Sequence, residues 1–247
     1  MATDSNSILL TDINKFFGDN QVLTNVSLEV EAGTIYGLLG PSGCGKTTTV
    51  KIMSGILNAT SGSALVLGEE MPNLSVMNKI GYLAQSDALY TNLTGVENLE
   101  FFGKIYGLSG ASLKSSILRV LDLVDLSEDL SKPVFAFSGG MKRRLSLAVS
   151  LLHSPQVLLL DEPTVGIDPL LRQSIWDELY ALASSGITIL VTTHVMDEAE
   201  KCSKLSMMRN GVILATGSPE EIIRQSNSKN LEEAFIHYSK GGAVHAG

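Results

Sequence analysis

Gly40-Pro41-Ser42-Gly43-Cys44-Gly45-Lys46-Thr47 fits G-x-x-x-x-G-K-[ST], and its flanks leave few folds open to this chain. The apolar run Ile35–Leu39 precedes it, and a helix-like pattern from Lys46 to about Ser54 follows. A strand, a glycine-rich turn and a helix in that order point several backbone N–H groups at one spot, where the helix N-terminus adds positive potential. Such a loop binds nucleotide phosphates. Lys46 is placed to reach the β- and γ-phosphates, and the Thr47 hydroxyl to ligate Mg2+. The same amides and Lys46 are expected to favour a thiolate at Cys44, so alkylation there should inhibit and bound MgATP should protect.

The rest of the chain supplies the sheet that this loop needs. Besides Ile35–Leu39, the runs 157–160 and 187–191 read as strands apolar on both faces, as parallel sheets require. Helix starts lie between them. Thr94 with Glu97 and Ser218 with Glu221 form capping boxes, and Pro219 takes the first helical position. Asp168-Pro169 opens another helix, whose Leu171, Ile175, Leu179 and Leu182 follow helical spacing; Leu113, Ile117, Leu121 and Val124 do the same elsewhere. Residues 8–13 and 22–30 come before any helix and flank a Gly-Asp-Asn turn, which predicts an antiparallel β layer. The expected fold is α/β: a P-loop NTPase core with a mainly parallel sheet, an N-terminal antiparallel β layer and an inserted helical subdomain at about 86–152. Residues 1–247 form one domain, ending in a short helical tail at about 218–247.

Two further segments carry chemistry. Val157-Leu158-Leu159-Leu160-Asp161-Glu162 is a buried strand ending in two acids, where the ligands of open α/β sheets gather. Asp161 is placed to hold the Mg2+ shell and Glu162 to polarise a water toward the γ-phosphate. Upstream, Phe137-Ser138-Gly139-Gly140-Met141 begins a second helix whose N-terminal amides suit an anion. One phosphate loop already cradles its nucleotide from one side. A second anion-binding helix end therefore suggests two chains, each closing the other's site. The following Lys142-Arg143-Arg144 reads as a solvated face.

A net charge of −8 argues against nucleic acid as a partner, since phosphate-backbone binding needs a basic face. No apolar run is long enough to span a bilayer. Residues 1–7 are polar and lack an apolar signal core, and the two cysteines make no disulfide framework, which suits a reducing compartment.

The order phosphate loop, Gln85, Ser-Gly-Gly, strand with Asp161-Glu162, Ile167-Asp168 and His194 resembles the nucleotide-binding subunit of the ATP-binding cassette (ABC) family, over about residues 8–214. The resemblance implies ATP and Mg2+ as ligands. It assigns nucleotide contacts to Phe17, stacking on adenine, and to Gly40, Pro41, Ser42, Gly43, Cys44, Gly45, Lys46, Thr47 and Thr48. Gln85 would join Mg2+, with Thr47 and Asp161, to a transporter-facing loop. Ser138, Gly139 and Gly140 would touch the γ-phosphate of the partner chain's ATP, and Asp168 would shape the dimer seam. Catalysis would fall to Glu162, His194 and Lys46, with His194 holding the γ-phosphate and the attacking water. Four positions depart from the commonest pattern: Phe17 for tyrosine, Phe137 for leucine, Met141 for glutamine, and Thr164-Val165-Gly166-Ile167-Asp168 for a serine-rich version. None removes a catalytic atom, but Met141 lacks the polar contact a glutamine would make.

Within that family several classes compete. A two-cassette translation factor needs a second phosphate loop, and a chromosome-maintenance ATPase needs long heptad arms. A soluble cassette that assembles iron–sulfur clusters, and an importer ATPase, are the remaining alternatives. Glu97-Asn98-Leu99-Glu100-Phe101-Phe102, Tyr106-Gly107, the Thr164–Asp168 stretch and Leu231-Glu232-Glu233-Ala234-Phe235 resemble the branch that exports drugs, lipids or polysaccharides. With about thirty residues after Leu214 in this sequence, the regulatory barrel of sugar importers is not expected. The expectation is an ATPase that dimerises with a second copy or a homologous subunit. It would power export through a separate polytopic membrane subunit at the cytoplasmic face of the membrane.

Overall fold

The computed structural model describes residues 6–124, 126 and 130–241. Residues 1–5 of the polar start, 125 and 127–129 of the expected insertion, and 242–247 of the expected tail lie outside the described residues.

Strands β1 (Asn6–Phe17) and β2 (Asn20–Glu31) pair antiparallel across the Gly18-Asp19 turn, as the early apolar runs predict. The apolar side chains Ile8, Leu10, Ile13, Leu23, Val26 and Leu28 all face inward. Two strands not foreseen, β4 (Ser61–Val66) and the two-residue β5 (Glu69–Glu70), extend this layer in the order β2-β1-β4-β5.

The second sheet is built on β3 (Ile35–Leu39), β6 (Ile80–Leu83), β7 (Val157–Asp161), β8 (Thr188–Thr193), β9 (Lys204–Arg209) and β10 (Val212–Gly217), in the order β10-β9-β3-β8-β7-β6. All its pairings are parallel except the β9–β10 edge hairpin. Every residue of β3, β7 and β8 is buried, which explains why each carries apolar residues on both faces.

Helix α1 (Lys46–Met53) follows β3 and the short α2 (Leu74–Met77) precedes β6. Then come α3 (Gly95–Ile105), α4 (Gly110–Val124) and α5 (Gly139–Leu151) between β6 and β7. The capping box at Thr94 and Glu97 is formed, with Thr94 N donating to Glu97 Oε2 at 2.7 Å. Leu99 of α3, Val120 of α4 and Leu145 and Leu151 of α5 share one core with Trp176 of α6 (Pro169–Ser184). Helix α7 (Met196–Ala199) follows β8, and after the β9–β10 hairpin come α8 (Pro219–Gln225), capped by Ser218 and Glu221, and α9 (Leu231–Ser239). Among the described residues no helix is long and apolar enough to cross a membrane.

What matters for the site is one edge. Leu39 pairs with Thr193, Asp161 with Thr192, and Leu83 with Leu160. The segments leaving β3, β6, β7 and β8 therefore emerge side by side at the carboxyl ends of four neighbouring strands, where parallel sheets bind ligands.

Candidate phosphate-binding and hydrolytic site

The loop after β3 is held by close backbone contact. A Cβ at Gly40 would lie 2.2 Å from Met208 O and 2.7 Å from Cys44 Sγ, so only glycine fits. Lys46 opens α1 and is buried; its Nζ donates to Gly40 O at 2.7 Å and to Pro41 O at 3.1 Å. Val22, Ser42, Gly43, Gly45, Lys46, Thr47, Thr48, Gln85 and Glu162 line one cavity of about 240 Å3. The phosphate loop, Gln85 and the second acid, distant in sequence, thus share a single cleft.

Glu162 is its centre, 7% exposed. Its Oε1 lies 3.5 Å from Lys46 Nζ and 3.3 Å from His194 Nδ1, and Gln85 Nε2 donates to its Oε2 at 3.5 Å. The residue has φ +52°, a left-handed conformation that side-chain-bearing residues rarely take and that costs about 1–3 kcal/mol where it persists. Thr192 of β8 fixes it, accepting from Glu162 N through its carbonyl at 3.2 Å and its hydroxyl at 3.0 Å. The same hydroxyl donates to Asp161 Oδ1 at 2.6 Å. Asp161 is fully buried, and its Oδ2 has no hydrogen-bond partner among the described residues. An orphaned buried carboxylate oxygen is costly unless a cation meets it. Asp161 therefore fits the Mg2+ role expected of it.

Cys44 corrects the sequence expectation. Burial pushes its thiol up from the ordinary value, and this outweighs the opposing field of Lys46. Cys202 is buried too, its thiol pushed up to about 12 chiefly by the same desolvation. A raised thiol pKa means less thiolate at neutral pH. At pH 7.5 iodoacetamide should leave both cysteines of the folded protein unmodified, while urea-unfolded protein takes up two equivalents. Mass spectrometry of the adducts checks this, and fast labelling of folded Cys44 would restore the thiolate.

Arg143 corrects another. The Lys142-Arg143-Arg144 triplet is not a solvated face: Arg143 is 6% exposed. Its Nε donates to Pro163 O at 3.0 Å, its Nη1 to Ala84 O at 2.5 Å, and its Nη2 to Asp161 O at 2.6 Å and Glu162 O at 2.8 Å. The Asp87 carboxylate lies 3.6 Å from Nη1. Sequence reasoning also missed Glu198, a buried acid of α7. It accepts from Thr164 Oγ1 and, at 2.7 Å, from Thr193 Oγ1, and lies 3.7 Å from Arg172 Nε. It joins the Thr164–Asp168 loop to the residue just before His194.

The remaining candidates do not line the cavity. Phe17 is 49% exposed at the end of β1, with Lys15 Nζ 5.1 Å from its ring centre. Ser138 caps α5, accepting from Met141 N at 3.2 Å, and a Cβ on Gly139 would meet nothing within 4 Å. Gly140 lies beside Leu171, and Asp168 caps α6 by accepting from Leu171 N at 3.1 Å. The starts of α5 and α6 thus form one open surface outside this chain's own cleft.

The family model described as ABC transporter matches residues 23–165. The probable multidrug ABC transporter ATP-binding protein YbhF of Escherichia coli is 41% identical over 232 residues, covering 91% of this chain and 40% of that protein. The Nod factor export ATP-binding protein I of Cupriavidus metallidurans is 39% identical over 229 residues, covering 92% of this chain and 76% of that protein. Among solved structures, a dimeric ATP-binding cassette in a post-hydrolysis state with ADP and Pi superposes with a TM-score of 0.79 at 25% identity, covering 85% of this chain and 98% of the other. The chain thus spans well under half of the first relative and about three quarters of the second.

Proposed function

Because the chain belongs to the ABC transporter family, we propose that it binds and hydrolyses MgATP as one of two opposed cassettes, and that this drives export by a separate membrane subunit. The observation that carries the reading is the meeting of Lys46, Gln85 and His194 on the Glu162 carboxylate at 3.3–3.5 Å, with Lys46, Gln85 and Glu162 lining the cavity of the phosphate loop. The export direction rests on the likeness to the Nod factor export ATP-binding protein I of Cupriavidus metallidurans.

Lys46 leaves the Gly40 and Pro41 carbonyls to take the β- and γ-phosphates, and the loop amides of Ser42 to Thr48 surround them. Thr47, Gln85 and Asp161 would hold Mg2+, which supplies charge neutralisation on the phosphate oxygens. Glu162 accepts the proton of the attacking water, and His194 orients that water and the γ-phosphate. Phe17 offers its exposed face to the base. Ser138, Gly139, Gly140 and Asp168 serve the partner's nucleotide, which accounts for their standing outside this chain's cleft. The partners are then a second or homologous cassette and a polytopic membrane subunit that holds the chain at the cytoplasmic face of the membrane.

The purified chain should release phosphate from MgATP at a rate that rises more steeply than linearly with protein concentration, because two chains complete each site. Release strictly proportional to protein concentration, from a chain shown to be monomeric, would overturn the opposed-cassette reading.

A further inference from the structure

We propose that Arg143 is a positioning residue for hydrolysis: its guanidinium, carried by α5, locks the backbones of Gln85 and Glu162 into one register, so that displacement of α5 is felt by both. The inference rests on the hydrolytic role given to Glu162 above.

The geometry is that of a rigid fork bridging the ends of two strands. Arg143 lies five residues past Ser138, about 140° further round α5 at 3.6 residues per turn. Ser138 is exposed, while Arg143 faces inward beneath the sheet edge. Its nitrogens reach the carbonyls of Ala84, past β6, and of Asp161, Glu162 and Pro163, at the end of β7 and just beyond, with Gln85 O further off at 3.5 Å. Ser146, one turn further along the helix, donates to Asp87 Oδ1 at 3.0 Å and so tethers the Gln85 loop to the same helix.

These carbonyls belong to the segments whose side chains meet, since Gln85 Nε2 reaches Glu162 Oε2. One guanidinium thus ties together the two segments that carry Gln85 and Glu162. Burial pulls the guanidinium down from its ordinary value, with Asp87 opposing that pull and Asp161 and Glu162 adding to the opposition. Arginine is suited to the place because its planar donors are fixed relative to one another, whereas a lysine ammonium is a single point. The helix that presents Ser138 to a second chain's nucleotide is therefore bolted to this chain's own hydrolytic carboxylate.

Arg143→Lys and Arg143→Gln, made in the full chain, test the assignment through three readings: ATP Kd, steady-state kcat and KM, and thermal melting. The phosphate loop is untouched, so Kd and KM should stay within about threefold of the parent. The kcat of Arg143→Gln should fall about ten- to a hundredfold, the scale of a reacting group misplaced by about 1 Å. Arg143→Lys, which keeps the charge beside Asp87 but not the fork, should fall between that variant and the parent. Parental kcat in a folded Arg143→Gln protein overturns the proposal. So does a joint loss of ATP binding and of the melting transition in both variants, which marks a structural role. If the parent itself releases no phosphate while binding ATP, it is the hydrolytic reading that fails, and the two failures are told apart.

Discussion

Lys46→Ala is expected to weaken ATP binding by a hundredfold or more. The ammonium is the main cation in the cleft, and hydrogen bonds to charged groups contribute about 1.5–3 kcal/mol each. Losing two of them, one to each of the β- and γ-phosphates, removes about 3 kcal/mol or more, and every 1.4 kcal/mol is tenfold in affinity. The substitution also acts on the protein without nucleotide. Lys46 and Glu162 are both nearly buried and 3.5 Å apart, so removing the lysine leaves a buried carboxylate with Gln85 and His194 as its side-chain neighbours among the described residues. Breaking a buried pair from one side is destabilising, and a lowered melting temperature should accompany the lost affinity. Lys46→Met, which restores the buried volume, should recover part of the stability and none of the binding. Equilibrium binding of a fluorescent ATP analogue reads the first effect and thermal denaturation the second. Parental affinity in a folded Lys46→Ala protein would remove the phosphate-loop assignment.

The parts of this fold that were legible in the sequence are those whose physics is local. The phosphate loop, the capping boxes at Thr94 and Ser218, the Asp168-Pro169 helix start and the buried strands β3, β7 and β8 each announce themselves within a dozen residues. The β9–β10 hairpin was legible and was missed: Asn210-Gly211 joins its strands with φ +49° and +78°, the positive pair that a tight hairpin turn favours. The site errors have a different cause. The neighbouring amides and Lys46 set the expectation for Cys44, but burial governs its thiol and outweighs Lys46, and the core it joins, with Val26, Leu190 and Met208, is assembled from distant parts of the chain. Three adjacent basic residues suggest a solvated face, although the spacing Arg143, Ser146, Leu147 and Ser150 marks a single helix face, and all four are buried. Glu198 stands among Asp197 and Glu200, and nothing local tells which of the three acids turns inward to Thr164 and Thr193.

Glu162→Gln is the change that separates binding from hydrolysis. Glutamine keeps the length and hydrogen-bonding reach of the native side chain and leaves the φ +52° backbone in place, so the cleft should keep its shape. It cannot take the proton of an attacking water. Hydrolysis should fall by about a hundredfold or more, the scale of losing a positioned base, while ATP still binds. Charge sharpens the expectation. In the parent, Lys46 already has an anionic neighbour in Glu162, and the γ-phosphate must compete with it. In the variant that neighbour is neutral, and the nucleotide is the lysine's main counter-charge. ATP should therefore raise the melting temperature of the variant by more than it raises that of the parent, since a ligand stabilises by its affinity for the folded state. With hydrolysis blocked, ATP stays between Lys46 of one chain and Ser138 of its partner, and size-exclusion chromatography should show a dimer with ATP and a monomer without. Adding Ser138→Arg puts a bulky cation at the open start of α5. It should abolish that dimer while each chain's own cleft still binds nucleotide. A Glu162→Gln protein that hydrolyses ATP at the parental rate would strip Glu162 of its role. A dimer that survives Ser138→Arg would show that the two chains meet on some other surface.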